Sequence, residues 1–355
     1  MAKILMKGNE AIALAAIKAG ADAFFGYPIT PQNEIPEYLS RMMPEHGKVF
    51  LQAESEVAAI NMVYGAAAAG KRVMTSSSSV GIALKQEGIS YLCGSELPCV
   101  IVSIMRGGPG LGGIAPSQAD YFQATRGGGN GDYQVVVLAP ETLQEAVDLM
   151  KEAFEIADTY RNPVMLLADG LIGQMMESID IDMPVKKRKI DPKSYATTGT
   201  DHHPGRNVIN SVHLDPPELE AHNQKLQRKY QTIINQETLV ETIDVEDAEY
   251  VVVAYGTAAR IARSSLQMLN ANGIKTGMIR PISLWPYPKK AFDKIPSSCK
   301  GIIVFEMSMG QMLDDVRIAN KGRFPLAFYG RSGGVVPEPE ELVEAVMSFQ
   351  ERMVD

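Results

Sequence analysis

Cysteine is scarce: Cys93, Cys99 and Cys299 are the only three in 355 residues, and none of them stands in a C-x-x-C spacing. They are too few and too scattered to hold an iron–sulfur cluster within this chain, and an oxidising compartment is not implied. Histidine is equally thin. Of the five, His202, His203, His213 and His222 fall in the polar middle of the chain, with His46 apart. The pair His202-His203 lacks a spaced partner and reads as solvated loop rather than as a metal site. No apolar stretch approaches the ~20 residues that a bilayer requires, and the N-terminus shows no signal-peptide pattern. Positive charge is in deficit, with a formal net charge of −8 and a pI near 5.3. That excludes the basic face nucleic-acid binding needs, and Lys186-Lys187-Arg188-Lys189 is a solvated linker on this reading. The expectation is a soluble cytoplasmic protein with no nucleic-acid and no membrane partner.

What the chain does have is an ordinary globular composition, 45% apolar and 21% charged, over a length that allows about two domains. Residues 1–185 alternate short apolar runs with helical stretches. The runs are Ala23–Gly26, Val49–Gln52, Arg72–Thr75, Cys99–Met105, Gln134–Leu138 and Pro163–Ala168. Helical patterns fall near 9–19, 31–43, 55–69, 82–92, 117–125 and 141–158. This alternation predicts a parallel, doubly wound α/β sheet covered on both faces. Gly20 is a helix C′ candidate, Thr142 starts a helix, and Ser117 with Asp120 three residues on reads as a cap. Residues 186–247 are polar and turn-rich, with a helix from Glu218 to about Ile234, and read as a linker and connecting helix. Residues 248–355 return to βαβα order as a smaller second domain.

Polar side chains gather where strands hand over to helices, the edge at which open α/β sheets bind ligands. Thr30, before Pro31, reads as an N-cap whose hydroxyl also faces the mouth of the sheet. Tyr27-Pro28-Ile29 before it is a stiff wall suited to a planar ring. Glu56 opens an apolar helix just after Val49–Gln52. Either it complements the helix dipole, as Glu54 would equally, or it is buried against a cofactor ring nitrogen that satisfies it. Arg106 ends the apolar run Cys99–Met105, and suits capture of a carboxylate or phosphate, with an internal ion pair as the rival. Ser76-Ser77-Ser78-Ser79 forms a turn that either lets backbone approach a ligand or is simply a turn. Gly108, Gly110 and Gly113 match G-x-G-x-x-G, but Pro109 and Pro116 interrupt the run and Asp132 precedes its strand, so a nicotinamide or flavin site is rejected. Arg126–Asp132 is a Gly-rich loop, a lid or a partner contact. Met307, Met309 and Met312 are interface packing at a sheet edge.

Taken in order, Lys7-Gly8-Asn9-Glu10-Ala11, Gly26-Tyr27-Pro28-Ile29-Thr30-Pro31, Ala53-Glu54-Ser55-Glu56, Met105-Arg106-Gly107-Gly108-Pro109 and Met307-Ser308-Met309-Gly310-Gln311 resemble the α-type chain of the thiamine-dependent 2-oxoacid:ferredoxin oxidoreductases. The branched-chain (3-methyl-2-oxobutanoate) type is the nearest likeness, and the match covers almost the whole chain. The resemblance implies a pyrimidine-type thiamine diphosphate-binding domain over 1–185 and a transketolase C-terminal-like domain over 248–355. It places Glu56 against the aminopyrimidine, where it favours the imino tautomer. It puts Thr30 and Arg106 at the 2-oxo acid, with Arg106 on its carboxylate. Tyr27, Pro28, Ile29, Thr30 and Ser79 join Glu56 as cofactor-binding residues, and no metal ligand is assigned to this chain. No Gly-Asp-Gly…Asn signature is present. By the resemblance the Mg²⁺-diphosphate half-site belongs to a β chain and the iron–sulfur clusters to a ferredoxin-like subunit. Apolar surface near Glu56 and the Gly-rich loops is then expected to be exposed when the chain is isolated.

The function so implied is oxidative decarboxylation of a 2-oxo acid to acyl-CoA and CO₂ with electrons passed to ferredoxin. The alternatives are a non-catalytic assembly subunit of such a complex, or the same reaction on 2-oxoglutarate or pyruvate.

Overall fold

A computed structural model describes residues 3–352 apart from 183, 185–187, 189, 191–192 and 200–204. Lys186, Lys187 and Lys189 of the basic run and the pair His202-His203 therefore lie outside the described residues. The chain opens with β1 (Ile4–Lys7), α1 (Gly8–Lys18), β2 (Ala23–Gly26), α2 (Glu34–Glu45), β3 (Val49–Gln52) and α3 (Glu56–Ala68). It continues through β4 (Val73–Ser77), α4 (Ser79–Gly94), β5 (Cys99–Met105), α5 (Tyr121–Thr125), β6 (Val136–Leu138) and α6 (Leu143–Tyr160). Then come β7 (Pro163–Asp169), α7 (Gly170–Gln174), β8 (Met176–Ile179) and the long α8 (Pro216–Gln236). The C-terminal part holds β9 (Val240–Ile243), β10 (Tyr250–Val253), α9 (Gly256–Ala271), β11 (Thr276–Pro281) and β12 (Ser283–Trp285). It closes with β13 (Gly301–Glu306), α10 (Met312–Asn320), β14 (Leu326–Gly330) and α11 (Pro339–Arg352).

The larger sheet has seven strands in the order β12-β6-β7-β5-β4-β2-β3. β5 and β7 lie near its centre and are buried along their whole length, as continuous apolar runs must be when helices cover both faces. One face packs Ile12, Leu39, Val102, Phe154 and Leu166. The other packs Ile60, Val63, Ile82 and Ile101 in a cluster that continues into Val251, Val253 and Val304 of the second sheet. That second sheet runs β14-β13-β10-β11-β9, and β1 pairs with β8 in a separate two-stranded ribbon. Local chemistry sets the helix ends: Gly20, at φ +87°, follows α1, and the Thr142 hydroxyl accepts from the Glu145 N–H to cap α6.

Three expectations need correction. The larger sheet is not wholly parallel, because β12 returns from the C-terminal part of the chain to pair antiparallel with β6. Thr30 is not an N-cap: α2 starts at Glu34, with Asn33 before it. Ser117 does not cap a helix either, since α5 starts only at Tyr121; its hydroxyl instead accepts from the Ala119 N–H. The polar α8 is held by a narrow stripe of Leu226, Tyr230 and Ile233, with Tyr230 edge-on to Trp285 of β12 at 5.8 Å. Among the described residues no helix is long and apolar enough to cross a membrane.

Candidate active site

From β2 the chain moves outward to β3, then crosses back over to β4 on the other side of β2. The gap between β2 and β4 is thus the topological switch point, where the carboxyl edge of a doubly wound sheet opens into a crevice. Four neighbouring strands deliver residues to that edge. β2 leads to Tyr27–Thr30, β3 to Glu56, β4 to Ser79 and β5 to Arg106.

The Tyr27–Thr30 segment is exposed at the mouth but anchored from below. Ser76 donates to Gln32 Oε1 at 2.5 Å, and Gln32 Nε2 donates to the Tyr27 carbonyl at 3.3 Å. Asn9 Nδ2 and Gln174 Nε2 both donate to the Pro31 carbonyl, at 2.7 and 2.9 Å. Thr30 presents its hydroxyl outward, with Asn33 Nδ2 at 3.3 Å as its donor, while Tyr27 and Pro28 form the exposed wall and Ile29 is half-buried. The Thr30-Pro31 peptide is cis.

Arg106 is buried, and its guanidinium reaches two backbone carbonyls. Nη1 donates to Thr30 at 2.9 Å and Nη2 to Leu111 at 3.2 Å. Its buried Nε has no hydrogen-bond partner among the described residues. Neither acceptor is a carboxylate, and no carboxylate lies within ion-pair distance of the guanidinium among the described residues. Ser79 ties this corner together: its Oγ accepts from the Arg106 N–H at 3.0 Å and donates to Asp120 Oδ2 at 2.5 Å. Burial raises the Asp120 carboxyl above its ordinary value, against the Ser79 hydrogen bond and the Arg106 charge.

Glu56 is the first residue of α3, after Ser55, whose hydroxyl accepts from the Ala58 N–H at 3.1 Å. The capping role thus belongs to Ser55, which leaves the Glu56 carboxylate free for another task. Glu56 as a whole is only 6% exposed, and no donor reaches its carboxylate among the described residues. Gly81 of α4 makes room for it: a Cβ there would fall 2.5 Å from Glu56 Oε1 and 2.1 Å from Ser77 Oγ. Exposed Glu54, two residues earlier and before the helix begins, has no comparable setting.

The structure therefore gathers Glu56, Tyr27–Thr30, Ser79 and Arg106 at one sheet edge. Asn9, Gln32, Gly81 and Asp120 were missed as parts of it, as was Lys85 of α4, buried with its ammonium on Thr75 Oγ1 at 3.0 Å behind them. The only sequence signal for the first two and for Lys85 is a polar residue among apolar or small neighbours. The Gly108–Gly113 segment opens no helix, in keeping with the rejected dinucleotide site. The loop after Arg126 is not a free lid, because the Gly128 N–H and the Tyr133 hydroxyl donate to Gln86 Oε1 of α4 at 3.0 and 3.2 Å. Met307 and Met312 are buried, whereas Met309 is exposed.

Residues 14–246 match the family described as pyruvate flavodoxin/ferredoxin oxidoreductase, thiamine diphosphate-binding. Residues 248–342 match pyruvate:ferredoxin oxidoreductase core domain II. Ketoisovalerate oxidoreductase subunit VorB of Methanothermobacter marburgensis is 47% identical over 98% of this chain and 97% of its own length. 2-Oxoglutarate synthase subunit KorA of Archaeoglobus fulgidus is 36% identical over 96% of this chain and 98% of its own. Among solved structures, the 2-oxoglutarate:ferredoxin oxidoreductase of Magnetococcus marinus, with 2-oxoglutarate, coenzyme A and succinyl-CoA bound, superposes with a TM-score of 0.88 at 29% identity. It covers 98% of this chain, which spans 65% of the length of that one. On the strength of the two matched domains, the near full-length relatives and the shared fold, the chain belongs to the thiamine-dependent 2-oxoacid:ferredoxin oxidoreductase subunits.

Proposed function

We propose that this chain supplies the pyrimidine side of a thiamine diphosphate site in a complex that converts a branched-chain 2-oxo acid to its acyl-coenzyme A and CO₂, with electrons leaving to ferredoxin. The observation that carries this reading is the buried residue Glu56 at the switch point, whose carboxylate has no donor among the described residues and has space kept for it by Gly81. A buried carboxylate left so is costly unless something donates to it, and a protonated ring nitrogen is a fitting donor. When bound, the cofactor supplies the nucleophilic carbon and the electron sink for decarboxylation.

The remaining roles belong to this chain's own groups. Glu56 holds a proton shared with the ring. Tyr27, Pro28 and Ile29 wall the ring in, and the Ser79 hydroxyl keeps the floor of the site in register with Arg106. Arg106 turns its uncommitted N–H groups to the substrate carboxylate, and the Thr30 hydroxyl lies beside it at the mouth. The burial of Glu56 and Arg106 strengthens the interactions those two make.

A β subunit with the diphosphate half-site and Mg²⁺, and an iron–sulfur subunit, complete the complex on this reading. Supporting it, Leu111 and Ile114 in the loop after Arg106 are 81% and 65% exposed, and Leu51, Val57 and Leu84 around α3 and α4 are exposed as well. Such a spread of apolar side chains beside the site suits a covering partner. The branched-chain assignment follows the name of the 47% identical relative; 2-oxoglutarate is the alternative carried by the 36% identical one.

The test is E56Q in the assembled complex, assayed by 2-oxo-acid-dependent dye or ferredoxin reduction. Turnover should fall about 10²–10⁴-fold, the usual share of a positioned acid–base group. Near-normal turnover would reject the role of Glu56, and unaltered turnover on omitting the chain would favour a purely assembly role.

A further inference from the structure

Lys85 lies on α4 with Gly81 four residues before it and Gly88 three residues after, a spacing that puts all three on one helix face. That face is pressed against α3. A Cβ on Gly81 would fall 2.5 Å from Glu56 Oε1, and one on Gly88 would fall 2.5 Å from Ile60 Cγ2. Lys85 is therefore enclosed between the two helices and the sheet, with no exposed surface. Its ammonium donates to Thr75 Oγ1 at 3.0 Å, its one acceptor among the described residues. Thr75 and Ser77 point to the same side of β4, and Ser103 of β5 stands opposite Ser77. The hydroxyls of Ser77 and Ser103 are buried without partners among the described residues, so the floor under Lys85 is neutral. Glu56 of α3 lies on the same side of the sheet, its Oε1 and Ser77 Oγ both against the Gly81 position one turn before Lys85; no ion pair joins it to Lys85 among the described residues, and its charge favours the protonated lysine.

A packing role on such a face calls for Leu or Met. An ammonium enclosed there is unfavourable unless a countercharge stands within reach. Resting on the reading of Glu56 given above, we propose that Lys85 is a positioning residue for Glu56: its buried ammonium keeps the nearby carboxylate anionic, so that the proton shared with the cofactor rests on the ring rather than on the carboxyl oxygen. Burial pushes the Lys85 ammonium down to about 8, with Glu56 acting in the opposite sense, so Lys85 still carries its charge at neutral pH.

The experiment uses the assembled complex and reads proton uptake as thiamine diphosphate and Mg²⁺ bind, by titration calorimetry at pH 7 in buffers of different ionisation enthalpy. The parent complex should take up a proton, because its carboxylate arrives without one. In K85M the uptake should fall by about half or more, the size of change expected when a nearby opposite charge is removed. K85Q, which stays polar but uncharged, should behave as K85M does, and K85R should restore uptake. E56Q should take up no proton, and K85M should change nothing further in the E56Q background. Unchanged uptake in K85M alongside its loss in E56Q overturns the proposal for Lys85 and leaves Glu56 standing. Unchanged uptake in E56Q rejects the reading of Glu56 itself. K85M should melt somewhat lower than the parent, since it leaves the nearby carboxylate without its countercharge; failure of both K85M and K85Q to fold would show a structural requirement and overturn the proposal.

Discussion

Arg106 divides its guanidinium between scaffold and site. Two of its N–H groups fix the Thr30 and Leu111 carbonyls, which leaves the buried Nε and the second hydrogens on Nη1 and Nη2. Lysine cannot reproduce this, because its ammonium is a point donor on a flexible stem whereas the guanidinium is a planar fork. R106K should therefore lose either the anchoring of Thr30 or the grip on the 2-oxo acid. A hydrogen bond to a charged group contributes about 1.5–3 kcal/mol, so kcat/KM for the 2-oxo acid should fall about 10–100-fold, with KM taking most of the change. Steady-state kinetics at varied 2-oxo acid checks this, and an unchanged KM would remove Arg106 from the substrate. The placement of Glu56, Thr30 and Arg106 at the sheet edge was legible in the sequence because each stands within four residues of a strand's end, and a strand's carboxyl end points to the crevice whatever the rest of the fold does. Lys85, Gly81 and Asp120 were not legible in this way. Their roles depend on which helix crosses which, and no local pattern records that.

The crossing of α3 and α4 makes this dependence concrete. Gly81 and Gly88 are seven residues apart, two helical turns, and both stand where a Cβ would meet α3. Alanine gains about 1 kcal/mol of helix propensity over glycine, but overpacking costs about 1–3 kcal/mol, so the collision should win at both positions. The two variants should nevertheless differ in kind. G88A pushes on Ile60, an apolar neighbour away from the carboxylate, and should lower the urea midpoint while turnover stays within a few-fold of the parent. G81A pushes on Glu56 Oε1 itself and should lose turnover out of proportion to its stability. Equal ratios of activity to stability in the two would mean that Gly81 serves packing alone. Long periodic elements were readable for the same physical reason: α3, α6, α9 and the buried runs of β5 and β7 carry enough apolar residues to fix their type. The three-residue β12 was not, since its pairing with β6 is decided by chain that returns from more than a hundred residues away. Thr30 misled because Thr-Pro is a sound N-terminal signal, yet here the turn through Gln32 is held by Asn9, Gln174 and Ser76, and α2 begins four residues later.

Across the whole molecule, the two larger sheets meet through Gln118. Its N–H donates to the Met307 carbonyl at 2.8 Å and its Oε1 accepts from the Met307 N–H at 2.9 Å. Its Nε2 donates to the Tyr255 carbonyl at 2.8 Å, and the Tyr255 hydroxyl returns to the Gln118 carbonyl at 3.2 Å. Tyr255 follows β10 and Met307 follows β13, so one side chain grips the carboxyl edge of the second sheet at two strands. Ion pairs add to the junction further out, with Arg280 of β11 bidentate on Glu145 of α6 at 2.8 Å. Gln118 also belongs to the segment that begins at Arg106 and ends at Asp120, both of which touch Ser79. Ala119 joins it, its carbonyl accepting from Gln311 Nε2 at 2.6 Å, so packing of the second sheet and shape of the site are linked through this segment, with Gln118 making most of its hydrogen bonds there. Q118A would leave a buried N–H and a buried carbonyl without their partners, at a cost of about 1–3 kcal/mol each. It should lower the unfolding midpoint and also raise the KM for the 2-oxo acid, although Gln118 itself is fully buried and meets no substrate. R280M, which removes a largely buried link that does not touch the 106–120 segment, should lower stability and leave KM where it was. If Q118A and R280M shift KM alike, the loop is held by something other than the second sheet, and the link between the two parts of the chain is only mechanical.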